Sequence, residues 1–474
     1  MSVKEALNDL LGLLENSLAV QDGRAVVTDE AKLRKNIGRL AEVSALETGV
    51  RQGIARYLTR LIALELGIIP ASIHELYSAR GRGEVPPTFT VPALNLRALA
   101  FDAARSVFRV AKSMEAGAFI FEIARSEMGY TDQRPSEYAT SVLAAAIAEG
   151  FQGAVFIQGD HFQVSTKRYA SDAQTELQAV RDLTAEAIRA GFFNIDIDTS
   201  TLVDLSKTTI PDQQALNCQL SAEYTAYIRS IQPQGVMISV GGEIGEVGGH
   251  NSTEPELRAY MEGYQTALEA MAPGAPGLSK ISIQTGTTHG GVVLPDGSIK
   301  KVAVDFDTLR YLSRIARQDY GMAGAVQHGA STLPEEAFGK FVENEACEVH
   351  LATNFQNILY DLLPEDLRAE MYAYLDQKHA SERKPDMTDE QFYYKTRKNA
   401  IGPFKARLWR MDEGKRREIG QAWEEQFRKL FTLLGVRGTT TYVQQTVAPV
   451  VILPRLQDYV AEAAGEADVS DLAD

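Results

Sequence analysis

The feature that most constrains the fold is a regular alternation between residues 88 and 362. Eight short apolar runs are separated there by amphipathic stretches, and the runs lie at 88–96, 117–124, 153–161, 192–200, 235–243, 278–286, 324–328 and 347–354. Near-continuous apolar strands between helices are typical of a parallel sheet covered by helices. Eight such units predict an α/β fold, a (β/α)8 or TIM barrel. The competing doubly wound sheet lacks the expected G-x-G-x-x-G after its first strand.

Helical sequence flanks the predicted barrel on both sides. Residues 1–87 repeat apolar positions at helical spacing, and the stretch RGRGEVPP at 80–87 marks a boundary. Residues 363–474 return to charged helical sequence, with 378–387 as a linker and an acidic tail at the end. The predicted organisation is therefore a helical N-terminal extension (1–87), a catalytic barrel (88–362) and a helical C-terminal extension (363–474).

Charge and cysteine content narrow the class of protein. The net charge is −15 and no segregated basic face is visible, so no nucleic-acid partner is expected. With two cysteines in 474 residues, the chain is expected to be reduced and intracellular. The first residues form an acidic amphipathic stretch rather than a secretion signal, and no apolar run is long enough for a bilayer. We expect a cytoplasmic protein with no membrane partner.

Three of the seven histidines follow candidate strands. His161 ends the third, His289 follows the sixth in TGTTHGG, and His328 ends the seventh in VQHGAS. Because the carboxyl ends of all strands in a barrel open on one face, the three imidazoles are expected on one rim. Any one of them alone could be a strand-end hydrogen bonder. Together they predict a catalytic metal site with an open fourth position, an arrangement familiar for zinc.

Other polar residues on the same rim are candidates for chemistry. Asp160 could be a helix cap or a general acid and base, and Glu243 either a carboxylate at the metal or the partner of a barrel lysine. His250, in a glycine-rich loop after the fifth strand, could donate a proton or simply be exposed. Asp198 follows the fourth strand and would complete a polar ring. The end of the eighth strand adds three further rim residues: His350, Thr353 and Asn354.

These segments resemble, in order and spacing, the signatures of class II (zinc-dependent) ketose-bisphosphate aldolases. The resembling segments are QGDHF, GGEIGEVGG, TGTTHGG with the following VDFDTL, QHGAST and VHLATN. The resemblance covers about residues 88–362 and implies a (β/α)8 barrel that cleaves a ketose bisphosphate such as fructose 1,6-bisphosphate, as in glycolysis. It also implies a homo-oligomer, since members of the family commonly assemble as dimers or tetramers.

The resemblance also implies roles for individual residues. It implies zinc ligation by His161, His289 and His328, transfer of the C4-hydroxyl proton by Asp160, and an alternative metal position at Glu243. The substrate phosphate and enediol would be held by the rim residues Gly290, Gly329, Ser331, His350, Thr353 and Asn354. Cobalt or manganese could occupy such a site as well, because selectivity depends on geometry and supply.

The chain departs from the family pattern in three places. The family loop normally carries a glutamate after its Gly-Gly pair, where this chain has His250. Its usual His-Gly-Gly-Ser is His328-Gly329-Ala330-Ser331 here, and its usual asparagine followed by Thr-Asp is His350 followed by Thr353-Asn354.

Three interpretations follow. The first is an aldolase acting on a sugar (bis)phosphate. The second is a metal-dependent C4 epimerase of a ketose, ketose phosphate or ketohexuronate. The third is a non-catalytic subunit, against which the intact Asp160 and the three histidines argue.

Overall fold

The computed structural model describes residues 2–21, 23–245, 250–287, 294–295, 303–465, 469 and 472. Its N-terminal region contains five helices: α1 (Val3–Leu13), α2 (Glu30–Asn36), α3 (Gly38–Leu46), α4 (Val50–Glu65) and α5 (His74–Gly81). It also contains three strands that the helical sequence pattern did not predict: β1 (Leu18–Gln21), β2 (Arg24–Val27) and β3 (Ile68–Ala71). Strands β1 and β2 form an antiparallel hairpin.

Eight further strands form the central sheet, and each corresponds to one of the eight apolar runs. They are β4 (Val91–Asn95), β5 (Ile120–Ala124), β6 (Gly153–Gln163), β7 (Asn194–Asp198), β8 (Ser239–Glu243), β9 (Lys280–Ile283), β10 (Ala325–Gln327) and β11 (Glu348–Leu351). Each strand pairs in parallel with the next, and β11 pairs with β4, which closes the sheet. The predicted (β/α)8 barrel is confirmed.

The first half of β6 has an additional neighbour. Residues Gly153–Phe156 pair with β3, and β7 joins β6 only from Gln158 onward. The N-terminal region thus contributes a ninth strand to the same sheet.

Among the described residues, ten helices follow the barrel strands and cover the sheet. They are α6 (Ala100–Met114), α7 (Arg125–Thr131), α8 (Pro135–Glu149), α9 (Thr166–Ser171), α10 (Ala173–Ala190), α11 (Ile210–Ile231), α12 (Glu254–Met271), α13 (Phe306–Tyr320), α14 (Glu336–Glu343) and α15 (Thr353–Leu362). Local sequence sets their ends. Thr253 and Glu256 form a capping box at the start of α12, and Gly191 ends α10 at φ 102°, which glycine adopts without strain.

The C-terminal region is helical and packs back on the barrel. Its helices are α16 (Glu365–Lys378), α17 (Asp389–Thr396), α18 (Lys405–Trp409), α19 (Glu413–Leu433), α20 (Thr440–Thr446) and α21 (Leu456–Gly465). Trp423 of α19 is buried and donates its indole N–H to the carbonyl of Phe355, 3.0 Å away. In the part of the chain described, no helix combines the length and apolarity needed to cross a bilayer.

Candidate metal centre and active-site cavity

Strand β6 is irregular where it reaches the rim of the barrel. Its register against β7 shifts between Gly159 and Phe162, so that Asp160 and His161 lie in a β-bulge. His161 has φ 40°, in the left-handed region that costs a residue with a Cβ about 1–2 kcal/mol. Neighbouring residues of a regular strand point to opposite faces, whereas both of these line one cavity. The bulge therefore brings two functional groups to the rim from consecutive positions.

The imidazoles of His161 and His328 face each other across this rim. Nε2 of His161 lies 3.0 Å from Nδ1 of His328, and Oδ1 of Asp160 lies 3.7 Å from Nε2 of His161. The three residues offer two nitrogen donors and one carboxylate oxygen within 4.8 Å of one another. This is the mixed nitrogen and oxygen set that zinc accepts in catalytic sites.

Two carboxylates lie behind the histidines. Nδ1 of His161 is 2.7 Å from Oε1 of Glu243 and 3.1 Å from Oδ2 of Asp198. Both Glu243 oxygens are buried without a hydrogen bond of acceptable geometry to any described residue. Oε1 is nevertheless paired with the His161 imidazole, whereas Oε2 has no partner among the described residues, and a cation beside the carboxylate would satisfy that oxygen. The residues of this site therefore fit a divalent metal.

The pKa values reflect the same crowding of charge. Burial, with the neighbouring charge of Asp198, raises the pKa of Glu243 to about 7. Burial lowers the pKa of His161, but the carboxylates of Asp160 and Glu243 outweigh it and raise that pKa well above its ordinary value. A metal ligand must be the neutral imidazole, so cation binding at His161 would displace a proton.

His350 sits in the barrel interior beside the metal-ligand candidates. Its Nδ1 is 3.1 Å from Oδ1 of Asp160 and 3.0 Å from Oε2 of Glu122, and its Nε2 is 2.7 Å from Oε1 of Glu348. Its ring lies against that of His328, with 4.0 Å between centroids and 43° between the ring planes. His350 therefore lies in electrostatic contact with the Asp160 carboxylate.

Lys280, the first residue of β9, is buried deeper in the barrel. Its ammonium donates to Oδ2 of Asp196 at 2.9 Å, to Oε1 of Gln158 at 2.7 Å and to Glu348. Burial lowers the pKa of Lys280, but the charges of Asp196 and Glu348 outweigh it and raise that pKa. A lysine held charged by two carboxylates is a poor nucleophile, so Lys280 does not resemble an imine-forming catalytic lysine.

A cavity of about 800 Å³ opens above these residues. That volume lies within the range of about 300–1,000 Å³ usual for small-molecule sites. Its walls come from the ends of β4, β5, β6, β10 and β11, from the start of α7, and from C-terminal residues 384–398. The C-terminal end of the 378–387 stretch, which was predicted to be a linker, therefore forms part of the cavity wall.

Most of the residues singled out from the sequence meet at this cavity. Those that line it are Asp160, His161, His328, Gly329, Ser331, His350 and Thr353. Ser331 accepts a hydrogen bond through Oγ from the amide of Ala352, 2.6 Å away, which joins the ends of β10 and β11. Asn354 is half-buried and does not line the cavity. His289 and Gly290 lie outside the described residues.

His250 lies apart from the cavity. Its side chain is 59% exposed, and its Nε2 is 2.6 Å from Oε1 of Glu256 at the start of α12. It lines a separate pocket of about 100 Å³ together with Gln214 and Gln284. His250 thus does not line the cavity that His161 and His328 line.

Sequence reasoning missed the charged residues inside the barrel. Glu122, Asp196, Lys280 and Glu348 each stand within an apolar strand, and all four are buried. That placement was itself a signal, because a charge within an apolar strand needs a partner. The lysines of residues 384–398 carried no such signal, since exposed lysines are common on helices.

Comparison with known proteins identifies relatives of the fold. A family model described as Fructose-bisphosphate aldolase class-II matches residues 87–407. No curated protein sequence matches the chain. Among solved structures, the chain is similar to fructuronate-tagaturonate epimerase UxaE from Cohnella laeviribosi, with 14% identity and a TM-score of 0.50 over 89% of this chain and 90% of that one.

Two further solved structures are similar. A probable tagatose 6 phosphate kinase from Sinorhizobium meliloti 1021 has 15% identity and a TM-score of 0.51 over 79% of this chain and 97% of its own. Fructose-bisphosphate aldolase from Campylobacter jejuni has 14% identity and a TM-score of 0.45 over 76% and 93%. At such low identity the likeness concerns the fold alone.

Proposed function

Because the chain belongs to the class II fructose-bisphosphate aldolase family, we propose that it is a metal-dependent aldolase. It cleaves a ketose (bis)phosphate, such as fructose 1,6-bisphosphate, by retro-aldol chemistry. The observation that carries the proposal is the convergence of Asp160, His161 and His328 on one cavity at the rim of the barrel.

The metal would be held by His161 and His328 and, from the family resemblance, by His289. Glu243 would serve an alternative metal position, which the absence of a partner for its buried Oε2 among the described residues supports. Zinc is the favoured ion, and cobalt or manganese would suit the same donors. Bound there, it supplies Lewis-acid polarisation of the substrate ketone oxygen.

Asp160 is the base in this proposal. Its carboxylate accepts the proton of the C4 hydroxyl as the C3–C4 bond breaks, so that C4 leaves as an aldehyde and the bonding electrons remain on the C2–C3 enediolate. His350, 3.1 Å from Oδ1 of Asp160, orients that carboxylate. Gly329, Ser331 and Thr353 line the same cavity and would bind the phosphate next to the ketone.

A C4 epimerase is the second candidate, and the position of His250 favours it. An aldolase must protonate the enediolate at C3 before release, and the family's loop donor is replaced here by a histidine that lies outside the cavity. An epimerase needs no such donor, because the enediolate adds back to the rotated aldehyde. The same Asp160 and the same metal would serve both reactions.

The decisive experiment follows fructose 1,6-bisphosphate by NMR with zinc-loaded protein and with a chelated control. Triose phosphates that form only in the zinc-loaded sample support the aldolase. A C4-inverted ketose without trioses supports the epimerase. If neither forms, fructuronate and the unphosphorylated ketose are tested in the same way, and silence on all of them contradicts both candidates.

Variants test the assigned roles. Asp160→Ala should keep its metal and lose about 10²–10⁴ of the turnover. Asp182→Ala removes an exposed carboxylate of α10 that does not line the cavity and serves as the control. His161→Ala and His328→Ala should each lose metal by elemental analysis, whereas His379→Ala, on the C-terminal region, should not. Unchanged zinc content in both the His161→Ala and His328→Ala variants would contradict the assignment of these residues as metal ligands.

A further inference from the structure

Three lysines of the C-terminal region line the mouth of the cavity. Residues 384–398, here called the lysine segment, include Lys384, Lys395 in α17, and Lys398 in the 3₁₀ turn Arg397–Ala400. They line the same cavity as Asp160 and His161. The segment is far from the barrel strands in sequence, so the fold has brought a second wall to the site.

The other cations that line the cavity are already neutralised by carboxylates. Nε of Arg97 donates to Oε1 of Glu127 at 2.9 Å, and Nη2 of Arg125 donates to Oε2 of Glu176 at 3.1 Å. Arg97 is half-buried and Arg125 is buried, and the charge of each is compensated by a carboxylate of the protein. They add little net attraction for an anion in the cavity.

Two of the lysines, Lys384 and Lys395, lie farther from carboxylates among the described residues. Lys384 is exposed and has no ion-pair partner among the described residues. Lys395 is 52% exposed, and its nearest carboxylate oxygen, on Glu382, is 3.8 Å away. Lys398 lies 5.1 Å from the ring centroid of Tyr130. Asp386 is the one acidic residue of the segment on the cavity wall, so the wall keeps a net positive charge in a protein of net charge −15.

The lysine segment is anchored. Phe392 is fully buried, the carbonyl of Arg397 accepts a hydrogen bond from the Tyr360 hydroxyl at 2.6 Å, and the guanidinium of Arg397 donates to Asn357. The last two of the three lysines are thus presented by packed helical backbone. Preorganised charges lose less entropy when they bind a ligand.

We propose that the lysine segment binds an oxyanion at the far end of the substrate, the end remote from the ketone. The inference rests on the proposed function, because it assumes that the ketone end lies at Asp160, His161 and His328. The oxyanion is the second phosphate of a ketose bisphosphate or the carboxylate of a ketohexuronate. Ammonium groups bind either one as point charges.

Titration calorimetry tests the inference through two pairs of ligands, on metal-loaded protein in which Asp160→Ala suppresses turnover. The pairs are fructose 1,6-bisphosphate with fructose 1-phosphate, and fructuronate with fructose. The member with the far-end anion should bind more tightly by roughly tenfold, given a few-fold for each exposed charge contact. The triple variant Lys384→Gln, Lys395→Gln, Lys398→Gln should bring that ratio close to one, while Lys378→Gln should keep it.

The pair whose ratio collapses in the triple variant identifies the anion as phosphate or carboxylate. A triple variant that keeps the ratio of its Asp160→Ala parent for both pairs overturns the inference, as does a parent protein that binds both members of each pair equally or binds none of the four ligands. The substitutions are on exposed side chains, and circular dichroism checks that the variant is folded. Binding is read without turnover, so a protein that binds selectively but cleaves and epimerises nothing would contradict the proposed function and leave the inference standing.

Discussion

Replacing Lys280 with methionine removes the cation on which a buried carboxylate depends. Oδ2 of Asp196 receives its hydrogen bond from Lys280, and its Oδ1 has no hydrogen-bond partner in the described part of the chain. Glu348 is better supported, because it also accepts from Gln158 at 3.0 Å and from the hydroxyl of Tyr77. The variant therefore leaves the buried carboxylate of Asp196 without its hydrogen-bond donor.

The expected loss is about 3–5 kcal/mol of unfolding free energy, the usual cost of breaking a buried ion pair. Uptake of a proton by Asp196 limits this loss of unfolding free energy. Bringing a carboxyl whose ordinary pKa is 3.8 to the neutral form at about pH 7 costs about 4 kcal/mol, at about 1.36 kcal/mol per pH unit. Asp196 in the Lys280→Met variant should therefore be folded in its protonated form.

The pH dependence follows from the sign of that shift. Burial already raises the pKa of Asp196 to about 6 in the wild type, despite Lys280, and the variant raises it further. Between about pH 6 and about pH 8 the folded variant holds a proton that its unfolded chain lacks, so its stability falls by up to about 1.4 kcal/mol per pH unit. The wild-type Asp196 is half ionised at about pH 6 and almost fully ionised at about pH 8, so the gap should widen as the pH rises.

Urea unfolding followed by circular dichroism at about pH 6 and about pH 8 measures the gap. The double variant Lys280→Met, Asp196→Asn should recover most of the loss and show no such pH dependence, and Lys378→Met should have no effect at either pH. A loss below about 1 kcal/mol, or one that is equal at both pH values, would refute the reasoning.

Two further predictions concern packing and surface charge. Gly53→Ala should lower the unfolding free energy by about 1–3 kcal/mol, because a Cβ there would lie 2.5 Å from the carbonyl oxygen of Tyr459 on α21. As a control, a Cβ at Gly12 would meet nothing within 4 Å, so Gly12→Ala should not destabilise the protein. Equal urea midpoints for the two variants would contradict this prediction. Burial raises the pKa of Glu345, but two arginines outweigh it and lower it to about 2. Glu345→Gln should therefore lower the unfolding free energy by under about 1 kcal/mol at neutral pH. This loss should disappear as the pH falls from about 4.5 toward about 2. A loss that persists in urea titrations at acid pH would count against the ion pairs of Glu345.

The barrel could be predicted because its strands are buried on both faces. A short apolar run between two helices is typical of a parallel strand buried on both faces. Eight such strands pair in order and close into the barrel. The meeting of His161 and His328 followed from the same logic, since strand ends share a rim. The bulge that turns Asp160 toward that rim could not be read from QGDHF, because register depends on the pairing with β7.

The N-terminal strands were within reach of the sequence. Asp22-Gly23 stands between two short apolar runs and is a common two-residue hairpin signal, yet the helical spacing around it dominated the prediction. Strand β3 is only four residues long, and its pairing with β6 spans more than eighty residues of chain. Short strands with distant partners carry little local signal.

The buried charges and the lysine segment mark the limit of sequence reasoning. A lysine in LSKISI announces a need for a partner but not that Asp196 and Glu348, on two other strands, supply it. Lys384 and Lys395 look like ordinary solvated residues until the chain folds over the barrel mouth. Contacts between residues this distant arise from topology, which the periodicity of a segment does not contain.

The sharing of β6 between two neighbours bears on how this molecule can be divided. The edge of residues Gly153–Phe156 is covered by β3 rather than by a barrel strand. A fragment that began at residue 88 would leave the amides and carbonyls along that edge unpaired and open to any passing chain. The first eighty-seven residues therefore supply the strand that covers this edge, and expression trials should retain them.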